Sequence, residues 1–239
     1  MGSSTEPGEV RENRTTDPPS GSQLLRLARG FATLFWGIPV CLLLFSNTIT
    51  LQLSTRMQFP TYLVGVVFLY TGVLILYFAG PVTPRWQTRV RGLMFVLLLQ
   101  VYFAPFVYWW QHAPQNPYFL VNTLGLVFCA MWSLLLTARL AGEACSALNA
   151  PALASEANIA QWAALLLMLM PFTVLFFMTF MTTVHAHGFF YIEWLRSLRR
   201  VPNWAMAAAL VPVPLTMLVC WKIKERCMQQ LKTGWDNQR

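Results

Sequence analysis

Residues 31–53, FATLFWGIPVCLLLFSNTITLQL, decide the fold. The run holds no Asp, Glu, Lys, Arg or His over 23 residues. A helix crossing a bilayer needs about 17–25 consecutive apolar residues, each rising about 1.5 Å, to clear about 30 Å of hydrocarbon. Five further stretches meet the same test: Thr61–Ala79, Leu93–Trp110, Tyr118–Ala138, Trp162–Val184 and Trp204–Trp221. None of them contains an ionisable side chain of those five types. A transmembrane β-barrel would alternate polar and apolar residues along each strand, and these runs do not.

Composition agrees. The chain is 56% hydrophobic and 11% charged. A soluble domain averages about 45–50% apolar and about 25% charged. So few charges would not solvate a globule of this size. A soluble enzyme, a disulfide scaffold and a disordered tail protein are excluded. The reading is an all-α, polytopic integral membrane helical bundle, with about six transmembrane helices plus one short interfacial amphipathic helix. Residues 1–22 are polar, rich in Gly, Ser, Thr and Pro, and read as a disordered cytoplasmic tail. Residues 23–222 form the six-helix transmembrane domain, and residues 223–239 a basic cytoplasmic tail.

Basic residues set the orientation. With both termini in the cytoplasm, 13 of the 17 lysines and arginines lie inside. Only Arg56, Arg196, Arg199 and Arg200 lie outside. The net charge of +8 therefore reads first as a topology signal, suited to anionic lipid and not to nucleic acid. No cysteine falls in an outer loop, so no extracytoplasmic disulfide is implied.

The three outer arginines after the fifth span belong to the segment Phe190–Arg200. Glu193, Arg196, Ser197 and Arg200 recur there at helical spacing, opposite Phe190, Tyr191, Trp194, Leu195 and Leu198. Such a helix lies in the headgroup layer. The small-residue connection Arg139–Gln161 reads as a surface linker made of two short helices broken at Pro151. Gly30 and Gly37 in the first span, and Gly65 and Gly72 in the second, are each seven apart and predict a tight antiparallel hairpin. Ala205 and Ala209 offer the sixth span a similar flat patch, and Pro212 and Pro214 a hinge.

Chemistry-bearing residues are few. No span holds the buried ionisable group that proton or cation relay requires. Motifs for zinc proteolysis, a nucleophile elbow or a P-loop are missing. The inventory leans against an enzyme. Two candidate sets remain. His112, His185 and His187 all fall on the outer side with Glu193 nearby, and imidazole and carboxylate are ligands for zinc or copper, imidazole also for haem. Asn47, Gln52, Gln100 and Asn122 are amides within or beside the spans, fit for a polar ligand or for hydrogen bonds between helices.

The first functional reading is a non-enzymatic scaffold or accessory subunit that binds partner proteins or lipid, with a membrane-protein partner or a second copy expected. No resident cofactor is expected under it. A small channel or carrier for an uncharged or lipid-like solute is the second reading. A metal- or haem-handling protein using the outer histidines is the third. The charge asymmetry makes one direct prediction. An epitope tag at either terminus should bind antibody only after the cytoplasmic face is made accessible. Labelling of either tag from outside intact cells would reverse the orientation.

Overall fold

Ser20 and Gln23 start the first helix. Ser20 N–H donates to Gln23 Oε1 at 3.0 Å, and Gln23 N–H donates back to Ser20 Oγ at 3.4 Å. This reciprocal pair is a capping box and satisfies two donors that a helix start leaves free. The computed structural model describes residues 19–50, 62–113, 116–186 and 190–236. Among them lie nine α-helices and no strand: α1 Gly21–Thr50, α2 Tyr62–Phe78, α3 Trp86–His112, α4 Pro117–Ala147, α5 Pro151–Ala163, α6 Met170–Ala186, α7 Phe190–Arg200, α8 Asn203–Leu210 and α9 Pro212–Asp236.

A π-helical turn, Ala164–Leu169, joins α5 to α6 without a break. Its cause is Pro171. Proline has no N–H, and its ring collides with the carbonyl four residues back. A wider turn relieves that collision, and Met170 N–H accordingly reaches the Leu165 carbonyl, five residues back. Helices α5 and α6 thus act as one rod, and α8 and α9 as another. Five such rods are long and apolar enough to span a membrane, and α2 is a shorter apolar helix of 17 residues. The chain is a multi-pass bundle.

The glycine hairpin forms as its spacing predicts. A Cβ on Gly30 would meet Leu76 and the Gly72 carbonyl, and one on Gly37 would meet Leu69. A Cβ on Gly65 would stand 2.8 Å from the Cys41 Cα. The α1 and α2 backbones therefore approach more closely than any side chain would allow. Phe31, Leu34, Val66, Val73 and Leu76 are buried beside this seam.

Two expectations need correction. The connection Arg139–Gln161 is helical on both sides of Pro151, as its sequence predicts, but it packs into the bundle and is no surface linker. Helix α4 runs to Ala147, Asn149 turns the chain at φ 52°, and Pro151 opens α5. Asn tolerates this left-handed backbone because its short polar side chain can bond locally. The small residues serve as an interface: Ala141, Ala144, Ala157 and Ala160 are buried between α4 and α5. Small side chains let two helices close up.

The segment from residue 223 onward does not hang free of the bundle. Helix α9 carries it to Asp236, Ile223 and Cys227 are fully buried, and Leu231 lies against Gly21. The segment's polarity hid a stripe at 220, 223, 227 and 231, which packs on α1. That contact also puts the first and last described helices at one end of the bundle.

Pro212 and Pro214 follow the break at Val211 between α8 and α9, the place the sequence marks as a hinge. They stand in the first turn of α9, where a missing N–H costs no bond. Ala205 and Ala209 are half-buried on α8, which lies against the Ala164–Leu169 turn.

The glycine seam is testable by size. Gly65→Val places atoms inside the Cys41 backbone and should destabilise the protein by about 1–3 kcal/mol, the usual cost of overpacking. Gly92 has nothing within 4 Å of an added Cβ. Gly92→Ala should leave the detergent-solubilised melting temperature unchanged or raised. Equal melting of the two variants would refute the seam.

Candidate functional site

Charge is confined to two levels of the bundle. At the end where α1 begins and α9 ends, Arg89 pairs with Glu143 at 2.9 Å, and Thr83 Oγ1 donates to the same carboxylate at 3.2 Å. Lys222 pairs with Glu156 at 2.6 Å. The Arg26 guanidinium donates to the Phe78 carbonyl, and Gln230 Nε2 to the Leu148 carbonyl at 3.2 Å. These contacts link α1 to the end of α2, α3 to α4, and α9 to the α4–α5 turn and to α5. Glu143 and Glu156 are the only acidic residues between Asp17 and Glu193. Each lies in the segment read as a linker, and that isolation was the sequence signal for their role.

The second level is α7. Its Phe190 and Trp194 are buried against Leu120 and Leu124 of α4 and against Phe172, Leu175 and Phe176 of α6, with Trp110 at the margin. Phe190 and Trp194 stack with centroids 6.3 Å apart, and Phe172 meets Trp194 edge-on at 6.0 Å. Ring pairs at this spacing add to the free energy of area burial. Leu124 and Leu120 lie 19 and 23 residues before Glu143 on one helix. At 1.5 Å per residue that is about 28–34 Å, one hydrocarbon thickness. Helix α7 therefore docks at the opposite boundary from the ion-pair layer.

The rest of α7 is open. Ile192, Leu195, Arg196, Arg199 and Arg200 lie together on one open face of the helix. Arg196 is held by Glu193 at 2.8 Å, one turn away. Arg199 and Arg200 are exposed and have no ion-pair partner among the described residues. In sequence, Leu195 reads as part of the aromatic face. In the helix it lies beside Arg199 and Ile192, away from the docked Phe190 and Trp194.

The predicted metal set is only partly described. His187 lies outside the described residues, as does the side chain of His185. His112 ends α3, exposed, with Nδ1 2.9 Å from the Tyr108 carbonyl and its ring 4.3 Å from the Tyr108 ring. Glu193 is taken up by Arg196. Among the described residues no three His, Cys, Asp or Glu side chains gather as a metal site.

The predicted amide set divides. Gln52 and the Asn47 side chain lie outside the described residues. Gln100 is buried between three helices, where Tyr62 Oη donates to its Oε1 at 2.7 Å and its Nε2 donates to the Cys129 carbonyl at 3.2 Å. Its hydrogen bonds cross from α2 through α3 to α4. Asn122 is half-buried and donates to the Tyr118 carbonyl of its own helix at 2.7 Å. Between α1, α2, α3 and α4 lies a void of about 20 Å³, bordered by Ile38, Val73, Leu97, Ser133 and Thr137 among others. That is room for about one water. Both hydroxyls already donate within α4, Ser133 to the Ala130 carbonyl and Thr137 to the Ser133 carbonyl, each at 2.8 Å.

Comparison of the chain with protein-family models, curated proteins and solved structures gave no match.

The two described amides differ in what they hold, and substitution separates them. Gln100→Leu leaves the Tyr62 hydroxyl without its acceptor and should cost about 1 kcal/mol, typical of a hydrogen bond between membrane helices. Asn122→Leu should change stability by less than about 0.5 kcal/mol, because its side chain bonds only within its own helix. Denaturant titration in mixed micelles reads both. Equal losses would mean that Gln100 is no strut.

Proposed function

We propose that this protein is a non-enzymatic membrane scaffold or accessory subunit, and that it binds another membrane protein along α6 and α8. One observation carries the reading. Burial is uneven among the spans: 39–44% of the most apolar window is buried in α1, α3 and α4, against 17% in the α5–α6 rod. Helix α8 has no buried residue at all.

An apolar surface facing lipid needs no partner, because lipid tails are as apolar as leucine. Packing between membrane helices comes instead from close fit. The uncovered face is suited to that fit. It offers Met170, Met178, Met181 and Met206, all exposed and conformationally adaptable. Beside Met206 on α8, exposed Ala207 is too small to hold an incoming helix away. A partner helix would there replace lipid with interdigitated side chains. The polar groups support the same reading, since Gln100, Glu143, Glu156 and Glu193 are each engaged within the chain. Both termini face the cytoplasm in this proposal, which puts the Arg89–Glu143 layer at the inner boundary and α7 at the outer one.

A photo-crosslinking amino acid at Met206 or Met178 tests the contact in native membranes. The expected product is one discrete protein adduct, heterologous or a second copy of this chain. The same probe at Phe95, exposed on well-packed α3, should give only lipid adducts. Lipid adducts alone at all three positions would overturn the proposal.

A further inference from the structure

We infer that α7 holds the phosphate of an anionic phospholipid headgroup, with Arg199 and Arg200 as its ligands. This inference goes beyond the partner-binding reading and rests on other residues. Helical spacing puts these residues on one stripe of α7, and docking of the opposite face leaves that stripe open. Phe190 and Trp194 fix α7 on Leu120 and Leu124, about one bilayer thickness from the Glu143 layer. Headgroups occupy that depth. Burial of those two aromatics leaves the opposite stripe, Ile192 and Leu195 beside Arg196, Arg199 and Arg200, uncovered.

Charge then selects the occupant. The helix carries three arginines against one carboxylate, and Glu193 answers only Arg196. Arg199 and Arg200 remain cationic at a boundary where the next residues, Val201 and Pro202, turn into apolar α8. Guanidinium groups are planar forks that take two phosphate oxygens at once. Ile192 and Leu195 supply the apolar wall that a free anion would not need and that a glycerol backbone with its acyl chains would cover. A zwitterionic headgroup fits less well, because the only carboxylate on α7 is already paired.

The test is native mass spectrometry of the full chain in mild detergent, titrated separately with phosphatidylglycerol and with phosphatidylcholine of the same acyl chains. The expected result is a lipid adduct at least about tenfold tighter for phosphatidylglycerol. Arg199→Gln with Arg200→Gln should remove one tight adduct, weakening it about tenfold or more. Arg85→Gln with Arg91→Gln, at the opposite end, should leave that adduct in place. The pair Arg199→Lys with Arg200→Lys keeps the charge and guards against misfolding. It should weaken the adduct by several-fold, since lysine lacks the fork. Equal binding of the two lipids, or an unchanged adduct in both α7 double variants, would overturn the inference. Displacement by millimolar inorganic phosphate would also overturn it, in favour of a soluble anion.

Discussion

Hydrocarbon offers no hydrogen bond, and this constraint orders the rest of the molecule. Every backbone N–H and C=O within the bilayer must find a partner in the chain itself, and helices do this locally. The same cost expels charge from the spans. Here it collects at two levels of α4, near Glu143 and near Leu120–Leu124, about 28–34 Å apart by helical rise. Each level has its own chemistry. One is tied by ion pairs between helices. The other is tied by aromatic rings, and its ion pair stays within a single short helix. Ion pairs at a water boundary contribute little each, so the first level does more to set helix register than to hold the bundle shut. The holding falls to close packing, and the α1–α2 glycine seam is its tightest part.

Much of this was legible in sequence. Apolar length alone found the spans, because a bilayer crossing demands a long uncharged run. The glycines at 30, 37, 65 and 72 marked their own seam, since seven residues return to the same helix face. What escaped notice was polar sequence with a packing role. Arg139–Gln161 has too many polar residues to span, yet its alanines repeat on one face and close α4 against α5. The α9 segment after residue 222 alternates cations with Ile223, Cys227 and Leu231, and only contact with α1 reveals that stripe. Apolar averages over a window lose such stripes.

The candidate site was legible in part. Periodicity found α7 and its arginines. It could not fix which way the helix rolls, because an eleven-residue helix with aromatics at 190, 191 and 194 has more than one apolar face to offer. Tertiary contact with Phe172 and Phe176 chose Phe190 and Trp194. For the amides, sequence could list polar atoms in the spans but could not tell a strut from a ligand. Gln100 is a strut in geometry: both ends of its amide reach a different helix.

That distinction bears on how such a protein works. A polar side chain inside a membrane either binds something that moves or holds something still. Gln100 is occupied at both ends, and the Ser133 and Thr137 hydroxyls beside the one-water void donate within their own helix. The described interior is committed to rigidity. Recognition is then left to surfaces, where this chain is unevenly finished. Its α1–α4 half is well buried, while the α5–α6 rod and α8 present broad apolar faces. The arginines of α7 stand at the end of that same half opposite the Glu143 layer, because α7 packs mainly on α6. A rigid half that positions an open half is the arrangement expected of a protein that acts by contact, since a binding face held on fixed helices loses little conformational entropy when its partner arrives.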